Sequence, residues 1–313
     1  MDENNKGSFC AGWGQADITP DKPIFISGQF HARVSEGVQD PVTATALILG
    51  AERAGSFNYA IMVSCDLITI TKELRDEVYR SIKSSIPEID ASRISIGATH
   101  THSAPEVRNI SYGMDIPDFS EEYGISDNGT GRKEKNKNLL SYLGVDVMFP
   151  VEYVRFAGKK ISQAICDAWN GRKPLGMAYG LGHAVVGRNR RLSYRDGTSA
   201  MYGKANVPEF SHVEGYEDHS VYAMMTYDIN GKLIGIIVNI ACPSQVSENS
   251  YVISADFWHE TREELRRRFG KEIYIMAQCG PAGDQSPHLL IGKRAEERMW
   301  RLKGRKEGEN ASR

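Results

Sequence analysis

The stretch between residues 58 and 98 constrains the fold more than any other part of the sequence. Residues 58–67 are an apolar, β-rich run, residues 71–86 carry apolar side chains at helical spacing, and residues 93–96 are a second short apolar run. Thr71 is a suitable N-cap for the helix. A strand, a helix and a strand in this order predict an α/β fold, in which a layered, mixed β-sheet core is flanked by helices.

The same two patterns recur along most of the chain. A hairpin is predicted at residues 43–67 and another at 221–240, where Asn230-Gly231 is a strong turn signal. Further strands are predicted at residues 8–20, 176–181 and 272–277, and further helices at 151–169, 256–269 and 293–303. Residues 187–191 are rich in arginine and are predicted to form a compact cationic loop.

One long segment lacks both patterns. Residues 107–148 are mostly polar, and the part from 109 to 138 is rich in Asp, Glu, Gly, Asn and Lys without periodicity. A polar segment that follows directly on a candidate site favours a lid or binding loop, and a disordered insertion is the alternative. We therefore expect a single α/β domain over residues 1–313, interrupted by a lid-like insertion.

Composition excludes several classes of function. Charged residues make up 25% of the 313 residues and the apolar set 41%, as in ordinary globular proteins. With 38 Lys and Arg against 40 Asp and Glu, and no basic stripe interleaved with aromatics, nothing predicts a nucleic-acid partner. The apolar runs are too short to form a transmembrane segment. Five cysteines in dissimilar contexts do not suggest a disulfide framework.

The N-terminus gives an expectation about localisation. Residues 1–6 lack the basic and then apolar pattern of a secretory signal. We therefore expect a cytoplasmic protein, or a secreted or periplasmic one if the N-terminus has been processed.

Residues 97–106 contain the strongest candidate for a functional site. His100 and His102 follow the apolar run at 93–96, and side chains two apart in an extended backbone project to the same side. Two neutral imidazoles held in this way suit zinc, and the neighbouring Thr99, Thr101 and Ser103 could orient the rings. The alternative is a hydrogen-bonded pair of surface histidines.

Two other strand ends carry candidate metal ligands. Asp66 lies at the end of the run at 58–67, where an unpaired carboxylate is costly, so it is either a turn cap or part of the site. Cys242 follows the strand predicted at 232–240, and its thiolate could bind zinc beside the histidines. The alternative for Cys242 is a small, buried, apolar side chain.

Two further loops carry candidate catalytic groups. Residues 278–287 contain two glycines and two prolines, with Ser286 placed as a nucleophile or an oxyanion-side donor that needs a base or a metal-bound water. A rigid turn capped by Asp284 is the alternative. Arg188 and Arg190 could stabilise negative charge on a carbonyl oxygen beside a metal, or could be solvated or salt-bridged.

Taken together, these segments resemble the N-terminal catalytic domain of the neutral/alkaline, non-lysosomal ceramidase family. The motifs that carry the resemblance occur in family order over most of residues 8–290: Ala16-Asp17-Ile18-Thr19-Pro20, Asp66-Leu67, Ala98-Thr99-His100-Thr101-His102-Ser103-Ala104-Pro105, Arg188-Asn189-Arg190, Ile253-Ser254-Ala255-Asp256 and Gly283-Asp284-Gln285-Ser286-Pro287. The resemblance implies a zinc-dependent amidohydrolase of sphingolipid metabolism that cleaves a ceramide-like N-acyl amide. Its partner would be a small-molecule or lipid amide substrate.

The resemblance also implies roles for particular residues. His100 matches a zinc ligand, and His102 matches a histidine that contacts the substrate or supports a zinc ligand. Arg190 matches an arginine that contacts the substrate. Ser286 matches a serine proposed as the nucleophile or as a group that positions water.

The sequence departs from the family pattern in two ways. Cys242 falls where the family has its second histidine ligand, so zinc is either held by sulfur or lost. The family also takes a glutamate and a tyrosine ligand from a region C-terminal to the serine loop, and this sequence stops at Arg313, before any such region. We therefore expect either that the sequence lacks a C-terminal portion of the protein or that other groups replace these ligands. The candidates to replace them are Asp66, His31, Asp218 and His219.

Two other functions are compatible with the sequence. One is hydrolysis of another small amide or ester, and the other is a non-catalytic binding domain that has lost its metal ligands. Profiling of ceramides against short N-acyl compounds distinguishes the first alternative from ceramide hydrolysis. Binding without turnover would indicate the second.

Overall fold

The structure is a computed structural model that describes residues 9–53, 55–109 and 146–292, together with Arg298. These residues form three α-helices, namely α1 (Lys72–Ser85), α2 (Pro150–Asn170) and α3 (Phe257–Phe269). Their strands are β1 (Phe9–Asp17), β2 (Gly37–Val38), β3 (Thr43–Arg53), β4 (Ser56–Cys65), β5 (Ile94–Ala98), β6 (Lys173–Pro174), β7 (Gly176–His183), β8 (Arg188–Asn189), β9 (Arg191–Tyr194), β10 (Ser199–Met201), β11 (Phe210–Val213), β12 (Ser220–Tyr227), β13 (Leu233–Ile240), β14 (Val252–Ile253), β15 (Tyr274–Cys279) and β16 (Gln285–Ser286). The mixture confirms the predicted α/β class.

The first sheet has the strand order β5-β4-β3-β1-β6. Strands β3 and β4 form the predicted hairpin, and β4 pairs with β5 in parallel, from Ile61 opposite Ile94 to Cys65 opposite Ala98. Helix α1 makes the crossover between β4 and β5, and Thr71 caps it by accepting from Leu74 N. Because β4 and β5 run in parallel, the segments that follow them leave the sheet at the same edge.

Helix α2 covers one face of this sheet. It contacts β1 and β3, and α1 packs against it in turn. Glycines in β1 allow the close approach: a Cβ atom on Gly14 would lie 2.1 Å from the carbonyl oxygen of Ala164, so a larger residue would force the helix away. The apolar core between helix and sheet includes Ile48, Val63 and Ile161.

The second sheet has the order β15-β13-β12-β7 and packs on the other face of the first. Trp13 of β1 reaches across and donates from Nε1 to Thr226 Oγ1 at 2.9 Å. Strands β12 and β13 form the second predicted hairpin, with Gly231 at a φ of 79° in its turn. Strands β13 and β15 are parallel and are connected through α3, so their following loops also leave at a shared edge.

Two local predictions were wrong, and two strands were not predicted. Residues 187–191 are not a loop, because β8 and β9 lie there, and β8 pairs with β16 inside the predicted serine loop. Strand β5 is a half-exposed edge strand rather than a buried one. No local pattern predicts β10 or β11, which join β9 in a small separate sheet.

Two further predictions fall mainly outside the described residues. They are the lid-like insertion, apart from 107–109 and 146–148, and the helix at 293–303, apart from Arg298. Within the described part of the chain, none of the helices combines the length and apolarity needed to cross a bilayer.

Candidate functional site

The two histidines lie in a turn just beyond β5, not in the extended backbone that the sequence predicted. The strand ends at Ala98, and His100 has a φ of 62°, in the left-handed region. The turn still brings the two rings together, because their centroids are 5.1 Å apart with 73° between the planes. Backbone conformation, rather than two-residue alternation, therefore makes the histidine pair.

His100 is the more exposed histidine, and its tautomer is fixed. Its Nδ1 lies 2.8 Å from the carbonyl oxygen of Ile68. Because a carbonyl can only accept, Nδ1 carries the proton and the lone pair is on Nε2. A metal-binding histidine is commonly oriented by such a backbone contact, so His100 is suited to provide one nitrogen ligand.

His102 is mostly buried, and neither of its ring nitrogens has a hydrogen-bond partner among the described residues. Its Nδ1 lies 3.5 Å from Oε2 of Glu248. Burial, followed by the proximity of His100, lowers the pKa of His102 to about 3. The ring is therefore neutral at physiological pH, with an acceptor nitrogen available for a ligand.

Arg33 holds the loops around His102 in place. This buried guanidinium donates from Nη2 to the carbonyl oxygens of Ser27 and His102, and from Nη1 to those of Glu248 and Ser250. One side chain thus fastens three segments that are far apart in sequence. No sequence pattern predicted that Arg33 would hold these loops together.

The Ile253-to-Asp256 motif holds the loop at residues 243–250. Asp256, rather than Ser254, caps α3 by accepting from Phe257 N, and it also accepts from the backbone N–H groups of Val246 and Ser247. Ser254 donates to Asp40 at 2.6 Å. The motif therefore fixes the loop that carries Gln245 and Glu248.

The arginine and serine motifs meet through a short antiparallel ladder. Strand β8 pairs with β16, so that Ser286 is opposite Arg188. Arg190, which directly follows β8, donates to the carbonyl oxygen of Gly283 at 2.8 Å. Arg190 also donates to the hydroxyl of Tyr202 at 3.2 Å and to Oε1 of Gln245 at 3.3 Å. Ser286 itself is fully buried.

A polar bridge connects this ladder with the histidines. Gln245 donates from Nε2 to Oε2 of Glu248 at 3.1 Å, while the Nε2 of His288 donates to the Gln245 carbonyl oxygen at 2.8 Å. The same His288 nitrogen is 3.8 Å from Glu248. Arg190 is close enough to His102 to contribute, after burial and His100, to its lowered pKa. The structure thus brings His100, His102, Arg190 and Ser286 into one neighbourhood.

Sequence reasoning missed four residues of this neighbourhood, namely Tyr202, Gln245, Glu248 and His288. For His288 the signal was available, because it stands two positions after the candidate serine. Tyr202 had no such signal, because its contact with Ser286 joins residues that are 84 positions apart.

Asp66 has a fully occupied carboxylate. It is buried and receives both Nη atoms of Arg262, at 2.7 and 2.8 Å. Thr43, through its N–H and hydroxyl, and Thr99, through its hydroxyl, also donate to it. These contacts account for a buried acid at a strand end, and a ligand role for Asp66 stays a prediction.

Cys242 is buried in an apolar cluster with Ile240, Phe257 and Trp258. Burial, and then the nearby Cys279, raise the pKa of its thiol well above the usual range. Because the thiolate is the form that binds metal, these surroundings favour the apolar alternative, and its role as a ligand stays a prediction.

The remaining candidate ligands are at the surface or paired. His31 is exposed, Asp218 accepts from Ser220 N, and His219 lies 2.9 Å from Glu217. Over the described ranges, no group of three or more His, Cys, Asp or Glu side chains is arranged to hold a metal. A catalytic zinc needs about three protein ligands, so the described residues do not by themselves fit zinc.

These features define a class of site: imidazole, guanidinium and hydroxyl groups that converge from strand-end loops of an α/β fold. No protein-family model and no curated protein matches the sequence. Among solved structures, a ceramidase complexed with C2 matches with a TM-score of 0.63 and 20% identity, over 91% of this chain and 39% of that one. The neutral ceramidase from Pseudomonas aeruginosa matches with the same score and identity, over 98% and 42%.

These matches confirm the resemblance at the level of the fold. The chain spans about two-fifths of the length of either ceramidase structure. At this level of identity the likeness establishes the architecture, and activity is a separate question.

Proposed function

We propose that this protein is an amide hydrolase that cleaves an N-acyl bond of the ceramide type. The observation that carries the proposal is the convergence of His100, His102, Arg190 and Ser286 in a fold similar to that of neutral ceramidases. Amide hydrolysis needs donors for the developing oxyanion and an acceptor for a proton of the attacking water, a proton that then passes to the leaving nitrogen, and the site contains both kinds of group.

The chemistry assigned to these residues balances simply. The oxygen of water bonds to the acyl carbon, the C–N bond breaks, and the amine nitrogen takes up a proton. Arg190 and Ser286 would donate to the carbonyl oxygen as it becomes negative. Neutral His102 would accept a hydrogen bond from water or from the substrate, because a ring nitrogen is available for it.

Substrate profiling with matched arginine variants tests the proposal. The purified protein is incubated with short-chain ceramides, short N-acyl amines and activated esters, and release of the amine or alcohol is measured. Arg190→Gln should lower kcat/KM by about 100-fold, because one donor to the oxyanion is lost. Arg195→Gln is the control, because Arg195 is exposed in the turn directly after β9. Equal activity of the two variants would contradict the role of Arg190.

Zinc dependence is a further part of the proposal. His100 would provide one ligand through Nε2, and Asp66 and Cys242 stay predictions as further ligands, because no group of three donors is arranged for a metal among the described residues. Elemental analysis should find zinc in the wild type and in Cys242→Ala, and should find none in His100→Ala. Loss of zinc in Cys242→Ala would instead make the sulfur a ligand.

A binding domain without catalysis is the second candidate, and the incomplete set of metal donors favours it. It predicts that short-chain ceramide binds without turnover and that Ser286→Ala binds as tightly as the wild type. Calorimetry together with product analysis distinguishes the two functions.

A further inference from the structure

The hydrogen bonds around Ser286 restrict what its hydroxyl can do. A serine hydroxyl has one proton to donate and two lone pairs that accept. The Ser286 oxygen accepts from the Tyr202 hydroxyl at 3.3 Å and from the backbone N–H of His288 at 3.1 Å. Both lone pairs are therefore engaged, and the hydroxyl proton is the part of Ser286 that is available to a ligand.

The direction of these bonds follows from Arg190. A guanidinium can only donate, so the hydroxyl oxygen of Tyr202 must accept from Arg190 Nη1 at 3.2 Å. The phenolic proton is then directed to Ser286. The chain of donors runs from a permanent cation through a phenol to a serine, and each bond polarises the next.

Backbone conformation places Tyr202 in this chain. Tyr202 has a φ of 52°, which is uncommon for a residue other than glycine, and its N–H donates to the carbonyl oxygen of Arg190 at 2.8 Å. The guanidinium carbon lies 5.5 Å from the centre of the tyrosine ring. Strained conformations of this kind concentrate at functional sites.

We propose that Tyr202 is a positioning residue that makes Ser286 a hydrogen-bond donor to the substrate oxyanion rather than a nucleophile. This inference rests on the proposed hydrolase function and deepens it. A nucleophilic serine would need a free lone pair directed at the acyl carbon, and here both lone pairs receive donors. Ser286 is fully buried, so little bulk water competes for its proton.

Tyr202→Phe tests the chain, because it removes one hydroxyl and keeps the ring over Arg190. We expect kcat to fall by about 10- to 100-fold with KM nearly unchanged, because the lost bond matters most when the oxyanion forms. The control is Tyr194→Phe, which removes a phenolic bond to the Lys204 carbonyl in the same small sheet without touching Ser286. Its kcat should equal that of the wild type.

A double variant separates positioning from general loss of structure. If Tyr202 acts through Ser286, the combination of Tyr202→Phe with Ser286→Ala should be no slower than Ser286→Ala alone. Independent losses that multiply would overturn the inference. Thermal melting of each variant identifies any that fails to fold.

Ser286→Cys decides between donor and nucleophile. A thiol is a weak donor but a strong nucleophile, so a donor role predicts a loss as large as in Ser286→Ala, and no acetyl adduct on the wild type during hydrolysis of p-nitrophenyl acetate. An acetyl group found on Ser286 by peptide mass spectrometry would overturn the proposal, as would full activity of Ser286→Cys.

A binding experiment covers a protein that does not turn over. Hexylphosphonate provides tetrahedral anionic oxygens, and its affinity is measured by calorimetry for the wild type, Tyr202→Phe and Tyr194→Phe. Weaker binding only in Tyr202→Phe would support the donor chain even if hydrolysis is absent and the proposed function fails. Turnover with an unaffected Tyr202→Phe would overturn this inference alone, and a wild type that neither turns over nor binds phosphonate would overturn both.

Discussion

The ends of two neighbouring parallel strands, β4 and β5, carry polar residues with opposite surroundings. At the end of β4, the buried carboxylate of Asp66 is paired with Arg262 and receives further bonds from two threonines. At the end of β5, the ring nitrogens of buried His102 have no hydrogen-bond partner among the described residues. The polar group at the end of β4 therefore has its hydrogen bonds, and the one beyond the end of β5 has none among the described residues.

The difference indicates how to separate structural from functional polar groups at a sheet edge. A buried polar group normally has its hydrogen bonds, because leaving one unmade costs about 1–3 kcal/mol. Asp66 satisfies that rule, because its contacts account for its burial. The His102 ring departs from it, as expected of a group whose partner is a ligand. The following variants test this division, from the largest expected effect to the smallest.

Asp66→Ala should lower the free energy of unfolding by about 3–5 kcal/mol, because it leaves the guanidinium of Arg262 buried without its carboxylate. Urea denaturation followed by circular dichroism measures the change. The control is Arg267→Ala, which breaks an exposed pair with Glu264 and should leave the free energy of unfolding nearly unchanged.

A double substitution sharpens the same point. Asp66→Leu combined with Arg262→Met removes both charges, and it should be less destabilising than Asp66→Ala alone. If Asp66→Ala proves as stable as the wild type, the pair of Asp66 and Arg262 does not stabilise the fold.

Gly28→Ala should cost about 3 kcal/mol and should displace the His102 ring. Gly28 has a φ of 106°, and a Cβ atom there would lie 2.6 Å from the Cβ of His102. Gly37→Ala is the matched control, because no atom lies within 4 Å of its added Cβ and its φ is not in the left-handed region. Equal stability of the two variants would show that His102 is not held against Gly28.

His102→Phe should leave stability at pH 7 nearly unchanged, because no hydrogen bond of the ring is lost. The pKa of His102 is about 3 in the folded state, against 6.5 for an ordinary histidine. The unfolded chain therefore binds more protons between these values, and wild-type stability falls as the pH drops below 6.5. At pH 4 the variant should be more stable than the wild type by about 3 kcal/mol.

Denaturation of metal-free protein at both pH values measures this difference. A wild type and a variant that lose the same stability between pH 7 and pH 4 would show that His102 already titrates normally in the folded state.

Thr99→Val should have the smallest effect, about 1 kcal/mol. It removes one of several donors to Asp66, at 3.3 Å, and leaves Arg262 and Thr43 in place. Thermal denaturation detects a loss of this size. A larger loss than in Asp66→Ala would mean that Thr99 acts through some other contact.

The sequence predicted the regular elements well, because each depends on local patterns. The hairpin at 43–67, helix α1 with its Thr71 cap and the turn at Asn230-Gly231 all correspond to observed elements. These signals lie within one or two turns or strands of the chain. The prediction that residues 187–191 form a loop was wrong, because two-residue strands have no periodicity to detect.

Long-range contacts in the site could not be predicted in the same way. The four-carbonyl clamp of Arg33 and the contact of Tyr202 with Ser286 join segments that only tertiary packing brings together. The histidine pair was found from its sequence, but its geometry comes from the positive φ of His100. The sequence therefore showed which residues could act chemically, but it did not show which of them lie close together.

The β8–β16 ladder has a consequence for how this region can vary. Its two residue pairs set the position of Ser286 relative to the arginine segment by backbone register. A single inserted residue in either strand would reverse which side of the ladder each side chain occupies and would turn Ser286 away from Tyr202. We therefore expect side-chain replacements near the ladder to be tolerated far better than changes in chain length at these four positions.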